Sequence, residues 1–314
     1  MRLIPLASVF PVLVTALVAS SFSSAAGNGA DKNMQAVPDL HASLKPKFIE
    51  TLSPPEARKQ STLADAVNVV SKKQGKSTYP GTLVPGVKST DRSIAGVAGQ
   101  IAARIHTPGG VLAFTVILYY HGGVSGLAKQ ANTVVAPEHK FSASWDDALA
   151  AYKWTSTNAA TSKGDPKKLA LADESAGGNL AVATAIAVRD AGLLTPLHVL
   201  ASYTVSRTSA TTELDEKYAN AKLLNRPMIK WFVTKLINSP SHLKDPRLEP
   251  IDARLKGLPS VTSLNASIDA LLSDGVMLED ALKKAGVPVE HKMYSGVTHE
   301  LFGMATVVKN AKEA

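Results

Sequence analysis

The sequence predicts an α/β fold in which a mostly parallel central sheet is covered by helices on both faces. Short apolar runs alternate with longer segments of helical periodicity, which is typical of strands joined by crossover helices. Polar residues directly follow three of the apolar runs, at the strand ends where ligands bind in such sheets. The 314 residues, 45% of them hydrophobic, suffice for one large core or two modest domains.

The predicted elements follow one another in a regular order. Residues 26–90 form an arm rich in Lys, Pro and Ser, with helical patches such as STLADAVNVVSKK, and not a separate domain. Two short strands around a glycine turn follow in SIAGVAGQIAARIHTP. The later strands are predicted in FTVILYY, KKLALA, LHVLASYTV, SVTSLNASID and VEHKMYSG. Helices are predicted in SASWDDALAAYKW, LLNRPMIKWFVTKLI and GVMLEDALKKAG, with a further helix after Ser175.

The first 25 residues are predicted to be a secretory signal peptide. Arg2 precedes the apolar segment LIPLASVFPVLVTALVAS, and the small residues of SFSSAAGNGA follow, with cleavage expected after Ala25 or Ala26. The apolar segment is at the short end for a membrane span, and a retained membrane anchor is the alternative. Once the signal is removed, no membrane association is expected, and the protein is predicted to be secreted or periplasmic.

Composition argues against several classes of protein. The net charge is +8, but the lysines are scattered and no aromatic residues interleave with them, so no nucleic-acid partner is expected. The chain has no cysteine, which excludes disulfides, thiol catalysis and thiolate metal sites. The dinucleotide-binding, phosphate-loop and zinc-protease motifs are all absent from the sequence.

Three polar residues stand at predicted strand ends. Ser175 follows KKLALA, Asp269 ends SVTSLNASID, and His299 follows VEHKMYSG. Serine, aspartate, histidine is the chain order of the catalytic residues in α/β hydrolases. In that chemistry His299 would accept the serine proton and later protonate the leaving alcohol, while Asp269 would fix the tautomer of the imidazole.

Backbone donors for an oxyanion are predicted at two places. The Ala176 N–H lies at a helix start, where amides have no partner within the helix, and the strand FTVILYY leads into His-Gly-Gly at residues 121–123. Each element also has an ordinary explanation. Ser175 and Asp269 could each cap a helix, the histidine could be a surface or core residue, and His-Gly-Gly could be a turn. Their combination at strand ends favours a hydrolase site.

Longer motifs surround these residues from about residue 45 to the end of the chain. They are YYHGG, APEHKF, DDALAAYKW, GDPKKLALADESAGGNLA, KDPRLEP, LKGLP, IDALLSDG and AGVPVEHKMYSGVTHELFGM. With these motifs the chain resembles the hormone-sensitive-lipase-like bacterial carboxylesterases, the α/β-hydrolase-3 group.

The resemblance implies an α/β-hydrolase domain over residues 91–314 that hydrolyses carboxylic esters without a metal or cofactor. It also implies a helical cap, built from the N-terminal arm and an insertion at about residues 206–245, over the pocket for a small ester substrate. Glu138 and His139 match a structural corner of the family that is not catalytic. By position, the triad corresponds to Ser175, Asp269 and His299, and the oxyanion hole to Gly122, Gly123 and Ala176.

The sequence departs from the family pattern in several places. The motif His-Gly-Gly-Gly ends in Val124 here, and Asp173 replaces the first glycine of Gly-x-Ser-x-Gly. Only residues 124–135 separate His-Gly-Gly from APEH, so the usual crossover helix and strand do not both fit there. The sheet is therefore expected to be shortened around its fourth strand. The chain also stops shortly after LFGM, where the family usually adds a final helix.

The first hypothesis is a carboxylesterase acting on small, short-acyl esters, with neither the acyl length nor the alcohol specified by the sequence. The alternatives are a catalytically impaired relative that keeps the pocket as a small-molecule binding module, and a deletion product without function. Asp173 bears on this choice. A carboxylate at a crowded corner near the oxyanion would impair activity, unless its side chain points to solvent.

Overall fold

A parallel sheet of five strands positions the predicted site. The structure, a computed structural model, describes residues 29–79, 83–97, 99–111, 113–120 and 138–314. Two strands first pair antiparallel, β1 (Val87–Ala95) and β2 (Gln100–Pro108). The five strands of the parallel sheet then follow in chain order: β3 (Phe114–Tyr119), β4 (Gly164–Glu174), β5 (His198–Ser202), β6 (Ser260–Ile268) and β7 (Val289–Thr298). Because neighbours are parallel, their carboxyl ends share one edge.

Helices precede, connect and follow these strands. The α-helices are α1 (Lys32–Ser43), α2 (Pro54–Ala57), α3 (Leu63–Lys73), α4 (Ala143–Asn158), α5 (Ala176–Asp190), α6 (Glu213–Lys217), α7 (Arg226–Leu236), α8 (Leu272–Lys284) and α9 (Lys309–Glu313). Short 3₁₀ turns lie at Ile49–Thr51, Ala159–Ser162, Pro240–Lys244, Pro250–Asp252 and Leu301–Met304.

Side chains at the helix starts satisfy amides that have no partner within the helix. Thr62 and Asp65 form a capping box at the start of α3, and Thr212 and Asp215 form another at the start of α6. At α7 the Asn225 side chain accepts the hydrogen bond of a first-turn amide. These local signals explain why the arm and the insertion fold into separate short helices.

Two clusters of buried apolar side chains hold the layers together. One cluster joins the sheet to α5 and α8 and includes Leu171, Val182, Val199, Val261 and Leu278. The other joins the strand ends to α1 and α3 and includes Met34, Val37, Val67, Leu264 and Val297. Helices α1 and α3 of the N-terminal arm therefore share a core with the sheet.

The predicted α/β architecture is confirmed, with some differences in element ends. The first strand begins at Val87, inside the predicted arm, because its long pairing with β2 continues as far as Pro108. After LFGM the chain forms the short helix α9, whose Ala311 is buried. The signal segment and residues 124–135 lie outside the described residues, so the shortened sheet stays a prediction. Among the helices of the described ranges, none combines the length and hydropathy needed to cross a membrane.

The close approach of α8 to β6 gives a first testable prediction. Gly275 lies in the first turn of α8, and a Cβ there would lie 2.0 Å from Oδ1 of the buried Asn265. We expect Gly275→Ala to lower the free energy of unfolding by about 1–3 kcal/mol, as overpacking does. Thermal melts followed by circular dichroism measure this. Gly303→Ala is the control, because its Cβ would meet nothing within 4 Å. Equal melting temperatures in the two variants would contradict the close approach.

Candidate active site

Ser175 lies in a tight turn between β4 and α5, with φ of 56° and ψ of −125°. A positive φ is unfavourable for a residue with a Cβ, so the surroundings must hold the turn closed. The Ser175 N–H donates to the carbonyl of Ser202 at 2.9 Å, which ties the turn to the end of β5. Only glycine fits at positions 177 and 178, where a Cβ would lie 2.0 Å from Asp173 and 2.6 Å from Thr204. The small residues after Ser175 therefore allow the strand-to-helix turn that the sequence predicts.

The structure brings Ser175, His299 and Asp269 together in one hydrogen-bonded row. The His299 Nε2 lies 3.0 Å from Ser175 Oγ, and the His299 Nδ1 lies 2.8 Å from Asp269 Oδ2. Asp269 directly follows β6 and His299 directly follows β7, so the sheet edge positions both. With a proton on Nδ1, Nε2 can accept the serine proton, which is what activation of the hydroxyl requires.

The surroundings of His299 raise its basicity. Burial by itself lowers the pKa of His299, which is only 3% exposed. The Asp269 carboxylate, with smaller contributions from Glu300 and Glu174, outweighs burial and raises the pKa of His299 above its ordinary 6.5. The imidazole is therefore neutral, and able to act as a base, only above this raised pKa. Chemistry that uses it as a base is lost as the pH falls through that value.

One of the three predicted oxyanion donors lies within the described residues. Ala176 is exposed and begins α5, so its N–H belongs to the first turn, where amides lack a partner within the helix. The positive end of the helix dipole favours negative charge at this place. Gly122 and Gly123 lie outside the described residues.

Asp173 does not point to solvent, contrary to the alternative considered from the sequence. Its side chain is fully buried, and Oδ1 accepts a hydrogen bond from the Glu174 N–H at 2.6 Å. Its carboxylate lies against Gly177 in the first turn of α5. The physical reason is the pleat of β4, which directs this side chain towards the helix that follows. The carboxyl group of Asp173 therefore lies within one helical turn of the Ala176 N–H.

Sequence reasoning missed three side chains beside the triad. The buried Glu174 carboxylate accepts hydrogen bonds from the hydroxyls of Tyr119 and Tyr203. The Tyr203 ring in turn packs edge-on against the imidazole of His299, with 4.8 Å between ring centroids. The signal in the sequence is an acidic pair at the end of an apolar strand, with one tyrosine that ends β3 and another that directly follows β5.

Glu138 connects the arm to the hydrolase domain. Its two carboxylate oxygens accept hydrogen bonds from the Arg58 guanidinium at 2.5 and 2.7 Å. This paired contact joins residues that are 80 positions apart in the sequence. Within the described ranges, no three His, Asp or Glu side chains are grouped so that they could hold a metal ion.

Comparison with known proteins agrees with the fold. A family model described as "alpha/beta hydrolase fold" matches residues 124–303. Carboxylesterase NlhH of Mycobacterium tuberculosis is 32% identical over 280 residues, which cover 81% of this chain and 88% of the relative. Ethyl acetate hydrolase of Pseudomonas putida is 30% identical over 227 residues, which cover 64% of this chain and 70% of the relative.

A solved structure extends the likeness over most of the chain. The hyperthermophilic esterase of the archaeon Pyrobaculum calidifontis superposes with a TM-score of 0.78 and 26% identity, over 91% of this chain and 95% of that one. The fold and the matched sequences together define an α/β hydrolase. The chain belongs to the hormone-sensitive-lipase-like carboxylesterase family of these hydrolases.

The hydrogen bonds that join Ser175, His299 and Asp269 predict how Ser175 reacts with a fluorophosphonate, a reagent for activated serines. We expect labelling at Ser175, with a rate that rises with pH through the raised pKa of His299, because only the neutral imidazole accepts the serine proton. Peptide mass spectrometry locates the label, and the rate is measured between pH 5 and 9. Ser175→Ala is the blank, and His299→Gln should lose the labelling. Labelling that survives in Ser175→Ala would refute the assignment.

Proposed function

We propose that this protein is a carboxylesterase that hydrolyses small, short-acyl esters through an acyl-enzyme on Ser175. The observation that carries the proposal is the continuous hydrogen-bonded row from Asp269 through His299 to Ser175. The relative named ethyl acetate hydrolase acts, by that name, on a small ester and supports the choice of substrate class.

Acylation begins with attack of Ser175 Oγ on the ester carbonyl carbon. His299 Nε2, 3.0 Å away, takes the hydroxyl proton as the bond forms. Asp269 stabilises the imidazolium that results and keeps the other ring nitrogen protonated. The Ala176 N–H, at the positive end of α5, donates to the oxyanion of the tetrahedral intermediate.

Collapse of that intermediate completes the cycle in two steps. His299 gives its proton to the leaving alcohol oxygen, which leaves the acyl group on Ser175. Water then attacks the acyl-enzyme with His299 again as the base, and the acid product leaves as Ser175 regains its proton.

The experiment that tests this proposal is hydrolysis of p-nitrophenyl acetate and butyrate by the purified protein. Turnover in the wild type that is lost in Ser175→Ala supports the proposal, with an expected loss of at least about 1,000-fold in kcat. Folding of the variant is checked by circular dichroism. A folded wild type without turnover would favour the impaired binding module, and an unfolded wild type would favour the deletion product.

The buried carboxyl group of Asp173 generates a further prediction. A carboxylate beside the first turn of α5 opposes the negative charge that develops on the oxyanion. We expect Asp173→Gly to raise kcat/KM for a short-acyl ester, on the order of tenfold, which is less than one oxyanion donor contributes. We also expect a lower melting temperature, because a carboxylate at a helix N-terminus stabilises the helix by about 0.3–1 kcal/mol.

The amide variant Asp173→Asn distinguishes an effect of the carboxylate charge from an effect of side-chain volume on kcat/KM. It keeps the volume of the side chain and removes the carboxylate, so an electrostatic effect should appear in it as well. Steady-state kinetics and thermal melts measure both expectations. An equal or lower kcat/KM in both folded variants would refute the impairment by Asp173.

We propose further that the protein is secreted or periplasmic, with residues 1–25 acting as the signal peptide. The supporting pattern is Arg2 before an apolar segment and a small-residue cleavage site. Intact-mass spectrometry of the exported protein should show a start near Ala26 or Gly27. A membrane-extracted form that still begins with Met1 would instead support the retained anchor.

A further inference from the structure

A buried carboxyl group connects the turn of Ser175 to the ring that packs on His299. Glu174 directly precedes Ser175 and is 8% exposed. The Tyr119 hydroxyl, from the end of β3, donates to its Oε1 at 2.9 Å. The Tyr203 hydroxyl, just after β5, donates to its Oε2. Glu174 thus joins groups that follow or end three neighbouring strands of the sheet.

The contacts of Tyr203 allow its ring to hold the imidazole of His299 in place. It is 2% exposed, and its ring meets the His299 ring edge-on at an interplanar angle of 63°. Its hydroxyl also accepts a hydrogen bond at 3.3 Å from the N–H of Phe302, which lies in the 3₁₀ turn shortly after His299. Its backbone N–H donates to the Leu264 carbonyl at 2.6 Å. The ring is therefore held at both ends, and Glu174 holds the hydroxyl end.

We propose that Glu174 is a positioning residue for the reaction, which keeps His299 aligned with Ser175 by holding Tyr203 against the imidazole. The inference rests on the proposed function, because alignment matters only if His299 accepts the Ser175 proton. The Nε2–Oγ distance of 3.0 Å leaves little tolerance. A misplacement of about 1 Å at a reacting group costs on the order of 100-fold in rate.

The charges around Glu174 connect this role to pH. Burial raises the pKa of Glu174 to about 7, with Glu300 adding to the effect and the Tyr119 hydrogen bond and His299 opposing it. The ionised carboxylate is the stronger acceptor for the two hydroxyls, and it forms as the pH rises through that value. Ionised Glu174 also helps Asp269 and Glu300 to raise the pKa of His299. The alignment of His299 with Ser175 and the pKa of His299 therefore both increase as Glu174 ionises.

The main test is a double-mutant cycle on kcat for p-nitrophenyl acetate. Glu174→Ala removes the acceptor, and Tyr203→Phe removes the hydroxyl but keeps the ring. Each should lower kcat by about tenfold to 100-fold, with little change in KM. If Glu174 acts through Tyr203, the double variant loses no more than the larger single loss. If the two losses multiply in the double variant, the proposal is wrong.

Tyr119→Phe is the matched control, since it removes the other hydroxyl from the same carboxyl group while the Tyr203–His299 contact stays. It should lower kcat less than Tyr203→Phe does, and equal losses would count against the proposal. If Glu174→Ala does not fold by circular dichroism, Glu174→Gln takes its place in the cycle. The proposed function fails separately, if hydrolysis by the wild type does not depend on Ser175.

The pH profile distinguishes positioning beside the base from a role in stability alone. In Glu174→Gln the charge is gone, so the pKa of His299 falls and the midpoint of the kcat/KM profile moves to lower pH. A residue that only stabilises the fold would change the melting temperature and leave this midpoint in place. An unchanged midpoint in folded Glu174→Gln would therefore overturn the role assigned to Glu174.

Discussion

The strained turn at Ser175 is the constraint on which the rest of the site depends. A positive φ at a residue with a Cβ persists only where the surroundings enforce it. Here the end of β5 accepts the Ser175 N–H, and two glycines let α5 pack closely against Asp173 and Thr204. The turn presents the hydroxyl at the edge of the sheet from which Asp269 and His299 also emerge. The parallel order of β4 to β7 therefore determines which side chains can meet.

Burial of charge is the second feature that organises the site. One imidazole lies near three carboxyl groups, those of Asp269, Glu174 and Glu300, in an interior where an isolated charge is costly. The Asp269 carboxylate and the imidazole compensate each other when the imidazole is charged, which explains how a buried His299 still has a raised pKa. For Glu174, burial outweighs the opposing effects of the Tyr119 hydrogen bond and of His299 and raises its pKa to about 7.

Sequence patterns predicted the strand ends and the residues that meet there, because apolar runs and turn residues are local signals. The positions of Ser175, Asp269 and His299 after β4, β6 and β7 follow from that reading. The surroundings of Glu174 could not be predicted in this way. Its partners Tyr119 and Tyr203 come from strands far apart in sequence, and an acidic residue in isolation is ordinarily solvated. The early start of β1 could not be predicted either, because pairing with β2, and not the composition of β1 itself, extends the strand to Val87.

Asp173 and Glu174, the two acidic residues before Ser175, show that the contacts of a side chain determine its effect on the site. Successive residues of a strand point to opposite faces of the sheet, so Asp173 and Glu174 enter different environments. Asp173 packs against the first turn of α5, where we propose that a carboxylate would oppose an oxyanion on the reacting ester. Glu174 meets two tyrosine hydroxyls on the side of the imidazole, where its charge supports the base. The roles that we propose for these two adjacent carboxyl groups are therefore opposite, because the pleat of β4 places the two side chains in different surroundings.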